Sequence, residues 1–156
     1  MRKTVIACPP KRANFPETDL WLDLATLADV ELTSDHPTHP FETCLSLDGS
    51  GWRASIPGPQ VIRLTFHKPQ RIRRIHLEFS EAAIPRDQEF AVIAHFSEGK
   101  SSEVVRQQWI FSPNGSTSEV EDYIVDLRDV TALEFQIDPG RHDKQCLASV
   151  DFLALA

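Results

Sequence analysis

The densest run of side chains able to do chemistry is Asp35-His36-Pro37-Thr38-His39-Pro40-Phe41-Glu42. Two imidazoles three residues apart could ligate a metal, exchange protons or hold polar groups of a ligand. Pro37 and Pro40 exclude a helix, because each lacks an N–H and fixes φ, so His36 and His39 are not the regularly spaced pair of a helical zinc site. No third ligand is adjacent. Cys8, Cys44 and Cys146 are widely separated and make no CxxC or Cys/His zinc spacing. Covalent catalysis needs a nucleophile beside a base. The serines lack a Gly-x-Ser-x-Gly elbow, spacing assigns Cys44 no partner, and no carboxylate pair is fixed by spacing. Only 6 glycines occur in the chain, none in a phosphate-cradling loop. The expectation is a protein that is not an enzyme.

The elements that must position these residues belong to a chain of 156 residues, 41% hydrophobic and 25% charged, the profile of one globular domain. Sixteen Lys and Arg against 23 Asp and Glu leave a net charge of −7, so no field gathers nucleic acid or an anionic membrane. Neither is expected as a partner. Arg63, Lys68, Arg71, Arg73 and Arg74 form one basic cluster without the interleaved aromatics of a nucleic-acid surface. Its expected place is an outer sheet face or edge, paired with acidic neighbours or with a protein partner.

The basic start Met1-Arg2-Lys3 leads into an apolar stretch too short for a secretory signal. Val5-Ile6-Ala7-Cys8 reads like a lipoprotein lipid-attachment box, but without a hydrophobic core before it. No apolar run is long enough to span a membrane as a helix. A cytoplasmic location is the expectation, and free thiols fit it; a Cys8–Cys146 bridge joining the chain ends is the alternative.

Residues 1–18, rich in Pro and charge, are expected as an irregular arm, with a single domain over 19–156. Trp21 to Ala28 can form a short helix capped by Asp19, with Leu20, Leu24 and Leu27 on one face. From there the pattern has period two. Ile62, Leu64 and Phe66 alternate with polar positions, His67 to Gln70 makes a turn, and Ile75, Leu77 and Phe79 resume the row. Ile72 is out of phase with that row, which predicts a β-bulge near Arg73. Phe90, Val92, Ala94 and Phe96 form the next inward row, and Ser97 to Lys100 is a hairpin turn into Val104 to Phe111. Ser112 to Ser116 is a turn in which Asn114-Gly115 can supply positive φ. Strands through Tyr123, Val125 and Leu127 and through Leu133, Phe135 and Ile137 follow. Leu147 to Leu155, apolar on both parities, reads as a central last strand. Many short strands with almost no amphipathic helix predict an all-β antiparallel sandwich.

The order of landmarks resembles the discoidin-like, galactose-binding-domain-like jelly roll of coagulation-factor C-type modules and carbohydrate-binding modules. The pieces that carry the resemblance are Val30-Glu31-Leu32-Thr33-Ser34, the loop Asp35 to Glu42, Leu47-Asp48-Gly49-Ser50-Gly51-Trp52-Arg53, Val61 to Phe66 before Lys68-Pro69-Gln70, and Ala148-Ser149-Val150-Asp151-Phe152-Leu153. It covers about residues 28–155. The resemblance implies an antiparallel jelly-roll β-sandwich that binds a ligand without catalysis, through loops at one end. It places Asp48 and Asp151 where several such modules hold a structural calcium, although Ser50 stands where a second carboxylate is frequent.

In the resembling fold the Asp35–Glu42 loop lies on a rim with the connections after Trp52 and Phe79. That implies a composite patch of His36, His39, Phe41, Arg53, Arg86 and Asp87. Sugars are held by such a mixture, since hydroxyls need convergent donors and acceptors while the apolar sugar face stacks on a ring. A carbohydrate is therefore the expected partner, and a protein docked on a sheet face or edge is the alternative. Trp52 and Trp109 are read as core residues rather than stacking platforms, with Trp21 covering the sheet.

Overall fold

The computed structural model describes residues 21–156. The arm over 1–18, the Asp19 cap, Leu20, the Cys8 bridge and the lipid-attachment box lie outside those residues. The expected helix is one turn, α1 (Leu24–Leu27), with Thr26 Oγ1 donating to Asp23 Oδ2 at 2.7 Å. It ends because Ala28 is already extended and begins β1 (Ala28–Leu32), which pairs antiparallel with the next long strand from Ala28↔Phe66 to Leu32↔Ile62.

A 3-10 turn (Phe41–Leu45) and the short β2 (Trp52–Arg53) precede β3 (Gln60–Ser80), β4 (Arg86–Phe96), β5 (Ser101–Phe111) and β6 (Ser118–Asp138). The chain closes with β7 (Ser149–Val150) and β8 (Phe152–Leu155). Where the sequence suggested four strands, the structure has two, β3 and β6, each 21 residues long. Each runs through both layers of the sandwich. The first layer has the order β1, first half of β3, second half of β6, β4, β5. The second layer is the first half of β6, the second half of β3, and β8. Chain continuity survives the corner because the pairing is interrupted rather than ended: β3 and β6 slip register between Thr65 and Gln70, around Ile72, and before Arg74. The bulge expected near Arg73 is part of this corner. On β6 the corresponding bend has Asp129 at φ 56°, a conformation that Asp tolerates better than most residues.

The alternating rows meet between the layers. Ile62, Leu64, Ile75, Leu77, Phe79, Phe90, Val92, Leu133, Phe135 and Trp52 are buried in one continuous core, with Trp109 packed at its margin. This places Trp52 and Trp109 in packing roles. The hairpin at Ser97–Lys100 forms, with Gly99 at φ 75°.

Two expectations are corrected. Gly115 is not among the positive-φ residues; the turn closes instead through Gly115 N to Ser112 O at 3.0 Å and Ser112 N to Ser116 O at 2.9 Å. The last strand is neither single nor central. Asp151 donates its N–H to Glu78 O and divides β7, paired with β2, from β8, paired with β3. Burial of β8 on both parities comes from a cover: Leu22 N donates to Leu155 O at 2.7 Å, and the Trp21 ring packs edge-on against Phe152.

Candidate functional site

The strand registers bring four connections to one end of the sandwich. Leu32 lies opposite Ile62, Gln60 and Phe90 lie opposite Ile137, Arg86 is opposite Phe111, and Ser80 is opposite Ser118. Segments 33–59, 81–85, 112–117 and 139–148 therefore leave from neighbouring strand ends. Backbone bonds tie them together: Ala54 N to Ala148 O, Gly58 N to Cys146 O, and Glu81 N to Thr117 O, at 2.8–3.0 Å.

Within this rim the backbone of Arg53 is held between the two histidines. His36 N donates to Arg53 O at 3.0 Å, Arg53 N donates to His39 O at 3.1 Å, and His39 N turns back to His36 O at 3.0 Å. The arrangement follows from the two prolines, which leave the loop extended enough for His36 and His39 to form a β-bridge. Their rings are 5.8 Å apart and tilted by 34°. Thr38 N donates to His36 Nδ1 at 3.2 Å, and the Thr38 hydroxyl lies 2.9 Å from the same nitrogen. His39 Nδ1 is buried and has no hydrogen-bond partner among the described residues. Arg53 is exposed and makes no ion pair among the described residues. Its neighbour Trp52 is the anchor, buried with Nε1 donating to Ser34 O at 3.3 Å.

Phe41 is corrected. Asp35 Oδ1 accepts from Phe41 N at 2.9 Å, which folds the loop back and turns the ring into the core, 2% exposed. It offers no stacking face. Arg86 is corrected as well. Its guanidinium is buried, donating to Glu81 Oε1 at 2.9 Å, to Gln88 Oε1 at 2.8 Å and to Pro139 O at 2.9 Å, 4.6 Å from the Phe111 ring centroid. Arg86 thus ties segment 81–85 to segment 139–148 from beneath. Asp87 stands at the rim, where its carbonyl accepts from Arg141 N at 2.8 Å and its carboxylate lies 3.2 Å from Arg141 Nη1 and 3.5 Å from His142 Nε2. Among the described residues no hydrogen bond or ion pair joins Arg86 or Asp87 to His36, His39 or the Arg53 side chain. The two groups are linked through segment 139–148.

Arg141 and His142 lie in the connection between β6 and β7, where Pro139-Gly140 has turn composition and no periodic pattern sets a side chain apart. A turn between two strands at the rim end was the available signal. Beneath the rim, Gln88 Nε2 donates to Glu119 Oε1 at 3.3 Å, and burial together with neighbouring Glu121 pushes the Glu119 carboxyl up to about 8.

Asp48 and Asp151 belong to no metal-ligating group of three or more such side chains among the described residues. Asp48 is exposed and accepts from the Ser46 hydroxyl, a bond that holds its carboxyl below the usual range. Among the described residues no group of three or more His, Cys, Asp or Glu is placed to hold a metal ion. Calcium's six to eight oxygens would have to come largely from carbonyls, so the residues present do not fit a carboxylate-built site. Cys44 and Cys146 are buried free thiols.

No family model and no curated protein matches the chain. Solved structures do. CBM32-3 from a family 31 glycoside hydrolase of Clostridium perfringens is similar with a TM-score of 0.63 at 14% identity, covering 87% of this chain and 94% of that one. A second C. perfringens module, CBM32-5, in complex with GalNAc-β-1,3-galactose, gives 0.61 at 13% identity over 86% of this chain and 98% of that one. A family 32 module of the same organism in complex with galactose gives 0.58 at 14% identity over 87% and 97%. With two bent strands shared by a five-stranded and a three-stranded layer, and with those likenesses, the chain has the discoidin-like, galactose-binding-like jelly-roll fold of the family 32 carbohydrate-binding modules.

Proposed function

We propose that the chain is a non-catalytic carbohydrate-binding module that grips its ligand at the rim around His36, His39 and Arg53. One observation carries the reading: a backbone clamp joins Arg53, exposed and without an ion-pair partner among the described residues, to His36 and His39 at the loop end of the fold. Guanidinium and imidazole nitrogens supply the directed donors and acceptors that hydroxyls need, and the buried Nδ1 of His39 has no partner among the described residues. Galactose and GalNAc-β-1,3-galactose bound to two modules of the same fold support this choice of ligand class. With Phe41 and Trp52 both buried, recognition rests on polar contacts and the imidazole rings rather than on a large aromatic platform.

The test is a glycan array followed by calorimetry on the best hit. Binding should fall at least tenfold in both Arg53→Ala and His39→Ala, with unchanged thermal unfolding. Glycan binding that survives both substitutions would place the site elsewhere, and no glycan binding at all would overturn the reading.

A further inference from the structure

A buried polar chain runs from β6 to the underside of the rim. Glu119 Oε1 accepts from Gln88 Nε2 at 3.3 Å, Gln88 Oε1 accepts from Arg86 Nη1 at 2.8 Å, and the same Nη1 donates to Pro139 O at 2.9 Å, at the start of segment 139–148. Glu119, Gln88 and Arg86 are 1%, 0% and 5% exposed. Two groups in this chain are left over. Glu119 Oε2 and Arg86 Nη2 are both buried, and neither has a hydrogen-bond partner among the described residues. A buried acceptor and a buried donor thus sit on two residues that share the neighbour Gln88.

The proton on Glu119 decides whether those two groups meet. Burial beside Glu121, which already accepts from the Tyr123 hydroxyl at 3.0 Å, favours the neutral carboxyl. In that state Arg86 pairs with Glu81, whose side chain is 20% exposed. Loss of the proton to solvent leaves a negative charge in the interior, where attraction is screened less than at Glu81. Arg86 on β4 is the cation that acts on it; the other titratable groups around the chain are Glu121 and Tyr123 on β6, and Glu81 and Cys146 on the far side of Arg86.

We propose that Glu119 is a positioning residue whose proton switches the rim: with the proton in place Arg86 holds Pro139 O, and once it leaves, the guanidinium turns Nη2 toward Glu119 Oε2 and releases Pro139. Segment 139–148 carries Arg141 and His142, and its carbonyls at Cys146 and Ala148 hold the amides of Gly58 and Ala54, next to Arg53. Its release therefore reaches the loop that follows β2. Any effect on a ligand at the rim rests on the carbohydrate reading above; the switch itself does not, and its test uses the free protein.

The experiment is a pH titration of the isotope-labelled chain by NMR. The Glu119 carboxyl carbon, the Arg86 Nε–H signal and the amides of 140–148 should move together in one step near pH 8. In Glu119→Gln, which keeps the side-chain shape and its neutral state, that step should vanish. A step owed to His142 appears in both proteins and cancels in the comparison. The wild-type titration decides the matter by itself if the variant does not fold. A step confined to 118–123, a Glu119 carboxyl that titrates without moving the Arg86 signal, or a rim step that persists in Glu119→Gln would each overturn the proposal.

Discussion

Arg74 and Asp122 meet as a two-pronged ion pair, Nε and Nη2 each 2.8 Å from a carboxylate oxygen, with side chains only 6% and 9% exposed. The pair spans neighbouring strands of the small layer, under the Trp21 ring, whose centroid is 4.6 Å from the guanidinium carbon. His76 Nδ1 lies 3.4 Å from the same Asp122 oxygen.

Removing one partner of a buried pair leaves the other charge desolvated and under-compensated. Asp122→Ala should therefore destabilise the fold by about 3–5 kcal/mol, measured by urea unfolding. Burial alone would raise the Asp122 carboxyl, but Arg74 and His76 outweigh it and hold the carboxyl below the usual range. Its stabilisation is thus complete above the unfolded carboxylate range near 3.8 and is lost as pH falls through the lower folded value. The wild type should lose more stability in acid than the variant. Equal acid sensitivity would contradict this role.

Glu119 gives a pH dependence of opposite sign. Below about 4.5 folded and unfolded chains both hold its proton; between there and about 8 only the folded chain does. Stability should fall as pH rises through that interval, by up to about 1.4 kcal/mol per unit, then level off. Glu119→Gln should flatten the slope, as read from unfolding midpoints at a series of pH values.

Gly51 sets the entry into β2 at φ 80°, and a Cβ there would stand 3.0 Å from Val150 O and 3.1 Å from the Asp151 Cα. Gly51→Ala should cost roughly 1–2 kcal/mol in backbone strain and also displace Arg53, weakening any glycan bound at the rim. Gly99→Ala, at φ 75° but facing open space, carries the strain alone and should leave glycan affinity unchanged. Calorimetry on the two variants separates these outcomes.

Period-two alternation made the layers legible, because a strand with one buried face must alternate whatever its partner. The out-of-phase Ile72 likewise disclosed the corner. Continuity of β3 and β6 was hidden, since Lys68-Pro69-Gln70 has turn composition yet lies inside β3, with pairing to β6 resuming at Gln70↔Val130. His36, His39 and Arg53 were legible as one group because their loop and β2 are adjacent in the resembling fold. Phe41 and Arg86 were misplaced for a common reason. Each is turned inward by a single carboxylate, Asp35 on the Phe41 N–H and Glu81 on the Arg86 guanidinium, and such pairings leave no periodic trace in a sequence.

Because β3 and β6 each belong to both layers, neither layer can be assembled first and docked later. Every native pairing of the small layer requires segments roughly 40 to 80 residues apart in sequence to close on each other, as Ser80 does with Ser118 and Ile75 with Leu155. Such non-local topology puts folding in the millisecond-to-second regime rather than the microsecond one. Cutting the chain at the β3 corner would leave the shorter fragment with only β1, β2 and the first half of β3, so it should acquire structure only when mixed with the longer one.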